Sequence, residues 1–138
     1  CDHSERVASV ASLAGATWDD PADCNATDPV HVVQIHGSND ETILAEGDCW
    51  WPGGCYPSAT GTALRWAVSN GCVGGPSRGP DLDLVEPLMG AETRTWSVDT
   101  CDDGGSAAVW LSNTTHIPML SAQFAMEVVE WSLAHNKP

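Results

Sequence analysis

Val30-His31-Val32-Val33-Gln34-Ile35-His36-Gly37-Ser38-Asn39-Asp40 decides the fold class of this chain. The β-branched run Val30–Ile35 predicts a strand. It ends in a His-Gly turn, and a carboxylate, Asp40, follows on the loop. In open α/β sheets, chemistry collects on loops beyond the carboxyl ends of strands. An acid placed there can hold and orient a catalytic histidine. A candidate, His116, comes later, between a predicted strand and the last predicted helix.

Outward from this segment, periodicity alternates between strand and helix. Val7 to Leu13, stopped by Gly15, fits a buried strand or a helix end, and its length and the Gly stop favour a strand. Trp18 to Pro29 is a polar loop, and Asp40 to Pro57 a long one of the kind that often carries function. Ser58 to Asn70 predicts a helix with Ser58 as N-cap and Gly71 at its end. Its apolar positions Ala59, Ala63, Trp66 and Ala67 fall at helical spacing. Val73 to Pro87 is Gly/Pro-rich and irregular. Glu92 to Val98 and Ala107 to Leu111 predict two strands, joined as a hairpin through Asp102, Asp103, Gly104 and Gly105. Pro118 opens a final helix to about His135, with Phe124, Val128 and Trp131 inward. The expected fold is an α/β layered sheet of about four strands with flanking helices, forming one domain over residues 1–138.

The chain holds 138 residues, 42% of them apolar, which suits one domain with a real core. It opens on Cys1 without a visible signal peptide and is expected to start inside something longer. No apolar run approaches the ~18 residues needed to span a bilayer. Nineteen acids against five bases give a net charge of −14. Such a surface repels phosphate backbones and anionic lipid, so neither nucleic acid nor membrane is expected as a partner.

Six cysteines stand at 1, 24, 49, 55, 72 and 101, with no C-x-x-C pair among them. That argues against a zinc ribbon and for disulfides in an oxidising compartment. Sequential pairing is preferred: Cys1–Cys24, Cys49–Cys55 and Cys72–Cys101. The last would close a long loop, worth on the order of 3 kcal/mol. Sequons at Asn25 and Asn113 fit secretion.

Each chemistry-bearing residue has a plainer alternative. Asp40 can be a turn aspartate that caps backbone amides, and His116 an exposed loop histidine. Together they match the later members of the Ser…Asp…His order of α/β-hydrolases. The nucleophile of that order should stand in G-x-S-x-G at a strand-to-helix elbow. Gly75-Pro76-Ser77-Arg78-Gly79 fits the letters but not the context, and it follows Asp40. His36 reads as a structural turn residue, and His3, His31 and His135 carry less weight. Asp81 and Asp83 lack a surrounding EF-hand pattern, and no metal or other cofactor is expected. Of seven tryptophans, Trp66, Trp96, Trp110 and Trp131 read as core. Trp50 and Trp51, in the Cys49–Cys55 loop, are candidate substrate-binding residues.

At these residues the chain resembles the polyhydroxybutyrate depolymerase / feruloyl esterase family of secreted α/β-hydrolases. The resemblance covers most of the chain but only the carboxy-terminal half of the family's domain. Val32 to Asp40 resembles its strand, His-Gly turn and triad aspartate. Leu64 to Cys72 resembles its helix ending in Trp…Asn-Gly-Cys. Val109-Trp110-Leu111 with His116 resembles its last strand and triad histidine. Ser112 to Pro118 keeps the family's proline but lacks its glycine run and tryptophan. The resemblance implies an extracellular serine esterase with Asp40 and His116 as triad members. The serine and oxyanion hole would then lie upstream of Cys1. Expected substrates are esters: polyester, feruloyl-polysaccharide or acetyl-xylan. These residues alone are expected to be inactive, and a half-sheet's open edge invites dimerisation. The rival reading is a secreted, disulfide-stabilised carbohydrate-binding module that stacks sugars on Trp50 and Trp51. A third is a pseudoenzyme half that pairs with another chain.

Overall fold

The Val30–Ile35 run lies at the heart of a mixed sheet. The computed structural model describes residues 1–50, 52–102 and 104–137. Along the chain run β1 (Ser9–Leu13), β2 (His31–Gly37), β3 (Gly47–Trp50), β4 (Gly54–Pro57), α1 (Ala59–Ser69), β5 (Ser77–Arg78), β6 (Arg94–Val98), β7 (Ala107–Ser112) and α2 (Ala122–Ala134). Five strands form one sheet in the order β1-β2-β7-β6-β5, and β3 and β4 pair separately. The expected count of about four strands is therefore too low. β5 is a two-residue edge strand in the Gly/Pro-rich stretch, and β3 and β4 arise within the predicted 40–57 loop.

The strands β1, β2 and β7 run parallel, with Leu13 opposite Ile35 and Ile35 opposite Trp110. β6 joins β7 antiparallel, as the predicted hairpin requires. β2 is buried along nearly its whole length, the mark of a strand covered on both faces. On one face Val33, Ile35, Ala108 and Trp110 pack with Leu84 and Val85. Phe124, Val128 and Trp131 of α2 close over them. Period-two alternation turns Ala107 and Val109 to the other face. There Ala59 and Ala63 of α1 meet Val109, and Ala67 meets Ala107 and Val98. Each large aliphatic side chain buried this way contributes about 1.5–3 kcal/mol.

α1 begins where the sequence places it: the Ser58 hydroxyl accepts from Gly61 N at 2.9 Å. It ends at Asn70 and a left-handed Gly71. The buried Asn70 amide then bonds Val30 N, Val30 O and Ser106 O. One side chain thus clamps the helix end to the entrances of β2 and β7. α2 starts later than expected, because Ser121, not Pro118, is its N-cap. The intervening residues cross to Val85, with Leu120 bridging it.

The cysteines pair sequentially, 1–24, 49–55 and 72–101. The chain is thus a mixed α/β protein stabilised by disulfides. Among the described residues, no helix is long and apolar enough to cross a membrane.

Candidate active site

Parallel strands deliver their carboxyl ends to one side of a sheet, so the loops leaving β2 and β7 emerge together. Asp40 stands three residues beyond β2, and His116 four beyond β7. Backbone bonds tie the two loops: Ser38 N donates to Ser112 O at 2.8 Å, and Asn39 N to Thr114 O at 2.9 Å. The side chain of Asn39 adds a bond to Asn113 at 2.7 Å. Gly37 permits this approach. A Cβ there would overlap the Thr114 carbonyl and stand 2.7 Å from Thr115 O.

The sequence-predicted pair meets at this corner. His116 Nδ1 lies 2.9 Å from Asp40 Oδ2. With a carboxylate facing it, Nδ1 carries the hydrogen and Nε2 is left as the acceptor. No other hydrogen bond reaches the His116 ring among the described residues, and its side chain is 32% exposed. Asp40 is buried. Its Oδ1 accepts from Thr42 N at 2.8 Å and Ile43 N at 2.9 Å. Burial pushes its carboxyl upward. The bonds from His116, Ile43 and Thr42 together outweigh that and hold it below the usual carboxylate range. Asp40 therefore caps local amides, as the plainer alternative has it, and also holds His116.

His36 departs from its expected role as a turn residue. It is the penultimate residue of β2 and is 2% exposed. Its Nε2 sits 2.8 Å from Ile43 O and 3.2 Å from Asp40 Oδ2. Gln34, fully buried and two residues earlier on the same face, places its Nε2 3.2 Å from His36 Nδ1. Sequence reasoning passed over Gln34. The signal was there: an amide in the middle of an apolar strand needs buried partners.

The remaining candidates lie elsewhere. Ser77 is on edge strand β5, where its hydroxyl bonds Ser97 O at 3.4 Å, so it forms no strand-to-helix elbow. Asp81 pairs with Arg78. No group of three metal-ligating side chains converges among the described residues. An apolar pocket of about 170 Å³ between α1 and strands β6 and β7 has no titratable side chain in its lining.

Trp50 is half exposed and meets Tyr56 edge-on, ring centroids 5.3 Å apart, across the hairpin that Cys49–Cys55 closes. Trp51 lies outside the described residues. Trp50, Trp18 and Trp66 line a cleft of about 530 Å³ beside β1, whose floor reaches Gln34 and Ile43. His116 lines a different crevice with Leu13, Leu84 and Phe124. The structure thus brings Asp40 and His116 together and leaves Trp50 outside the crevice that His116 lines. No protein-family model matches this chain, and no curated protein matches it either.

Proposed function

We propose that this chain is the carboxy-terminal part of a secreted serine carboxylic ester hydrolase, of the polyhydroxybutyrate depolymerase / feruloyl esterase type. The observation that carries the reading is the 2.9 Å bond from His116 Nδ1 to a buried carboxylate, at the carboxyl ends of two adjacent parallel strands. Asp40 fixes the tautomer in which His116 Nε2 is the acceptor, and it stabilises the imidazolium once that nitrogen takes a proton. His116 deprotonates a serine as it attacks the ester carbonyl, then returns the proton to the leaving alcohol. The serine and the oxyanion hole belong to residues upstream of Cys1. Three disulfides suit an oxidising, extracellular setting.

The test is hydrolysis of short-chain and feruloyl esters by the product of the complete reading frame. Turnover should be blocked by a serine-directed phosphonate and lost on His116→Ala. An undiminished rate in His116→Ala overturns the reading. Phosphonate-sensitive turnover by residues 1–138 alone would refute the upstream placement of the serine.

The half-exposed Trp50 beside its 530 Å³ cleft favours a second reading, sugar stacking on the hairpin. It requires oligosaccharide binding that Trp50→Ala removes and Asp40→Asn leaves intact.

A further inference from the structure

Two imidazoles converge on one carboxylate oxygen. Asp40 Oδ2 lies 2.9 Å from His116 Nδ1 and 3.2 Å from His36 Nε2. A buried carboxylate so placed can stabilise a proton on either ring. Were His36 to become the cation, it would take Asp40 as its ion partner and loosen the hold on His116.

The surroundings of His36 prevent that. Its Nε2 faces two oxygens, Ile43 O and Asp40 Oδ2, so this nitrogen carries the ring's hydrogen. A cationic ring needs a second hydrogen, on Nδ1. That position faces Gln34 Nε2 at 3.2 Å. The amide cannot turn round, because the same nitrogen bonds Gly15 O at 2.8 Å, and reversal would set oxygen against oxygen. Nδ1 therefore meets a donor and can only accept. Gln34 Oε1 is buried without a partner among the described residues. The donor end alone thus fixes how this amide lies. Gln34 is 0% exposed and His36 2%, so bulk water does not relieve the arrangement.

We propose that Gln34 is a positioning residue: by donating to His36 Nδ1 it keeps His36 neutral and commits Asp40 to His116. The proposal rests on reading Asp40 and His116 as a dyad. It separates two histidines that share one carboxylate. The partly exposed one exchanges protons, and the buried one braces the 40–43 turn through Ile43 O.

The experiment is nitrogen NMR of histidine-labelled protein at neutral pH, with His36→Phe supplying the assignment. In the unsubstituted chain, His36 should be neutral with its hydrogen on Nε2, and His116 should carry its hydrogen on Nδ1. Gln34→Glu replaces the donor with an acceptor. It should add a second hydrogen to His36 and dissolve the single His116 tautomer into a mixture. Gln34→Met keeps the length but removes the donor. It should let a second hydrogen onto His36 in part and blur the His116 tautomer less than Gln34→Glu does, and an unchanged His36 in this variant overturns the proposal. A merely structural role for Gln34 predicts that both variants disturb His116 alike, and that result overturns the proposal. So does a neutral His36 in Gln34→Glu. Should that variant not fold, the unsubstituted protein decides: a doubly protonated His36, or one with its hydrogen on Nδ1, overturns it. Failure of the dyad reads differently. His116 without the Nδ1–H pattern in the unsubstituted protein removes the reading beneath the proposal, whatever His36 shows.

Discussion

Two polar regions follow β2 on the chain, and they are held in opposite ways. The Asp40–His116 corner has no covalent tie of its own. It is pinned by backbone bonds between the loops that leave two core strands and by four donors around a buried carboxylate. The Trp50 hairpin is a separate two-stranded ribbon, largely exposed and closed by Cys49–Cys55. Two-stranded ribbons are marginal alone, so a staple takes the place of a core. Proton transfer needs placement to a fraction of an ångström, which parallel core strands supply. A contact surface tolerates looser support.

The comparison breaks most sharply at Asp40. Under the proposed esterase function, Asp40→Asn should leave the fold intact and lower kcat of the longer protein about 10⁴-fold, because an amide no longer enforces the His116 tautomer. Esterase assays beside circular dichroism check this. Gly37→Ala tests the loop pinning. The added methyl has no room against the Thr114 carbonyl, so unfolding free energy should fall by about 3 kcal/mol, read by denaturant titration, with His116 displaced. Opening the hairpin with Cys49→Ser and Cys55→Ser releases a short loop in the unfolded chain and should lower the unfolding free energy by about 2 kcal/mol. It should loosen Trp50, seen by fluorescence, and leave the His116 nitrogen signals in place. Movement of those signals would mean that the two regions are coupled.

The smallest expected effect is in acid. Asp40 binds its proton less readily folded than unfolded. Its contribution is therefore complete above the unfolded carboxylate range, about pH 4, and fades as pH falls below it. His31 has the same sign. Burial chiefly, then the neighbouring His135 ring with its centroid 4.8 Å away, hold its imidazole below the ordinary range. That contribution is complete above about pH 6.5 and is lost as pH falls further. Thermal melts across pH should show a shallow loss first and a steeper one later. His135→Ala should shrink only the shallow one.

Much of this was legible in the residues. Val30–Ile35 announced a strand because β-branched side chains favour the extended backbone; its cover on both faces came with the fold. Ser58 and Gly71 announced the ends of α1 through local capping geometry. Asp40 and His116 were legible because each follows a predicted strand, in the order acid then histidine; that the two strands are adjacent and parallel came only from the fold. Less was visible where pairing is non-local. Edge strand β5 has two residues and no pattern to show, and the hairpin within 40–57 is hidden among Trp, Pro and Gly. His36 looked like a turn residue because nothing in its neighbours' identities states which atoms face its ring.

By itself, the sequence determined the layered α/β class, a preference for sequential cysteine pairing and the two residues of the candidate dyad. Periodicity, capping and loop position are local properties, carried by neighbours in the chain. Only the tertiary structure decided that His36 and His116 share one oxygen of Asp40, that Gln34 stands between His36 and a second proton, and that Trp50 faces a different cleft. These are contacts between side chains set by strand register and loop approach, and hydrogen-bond direction has no signature along the chain.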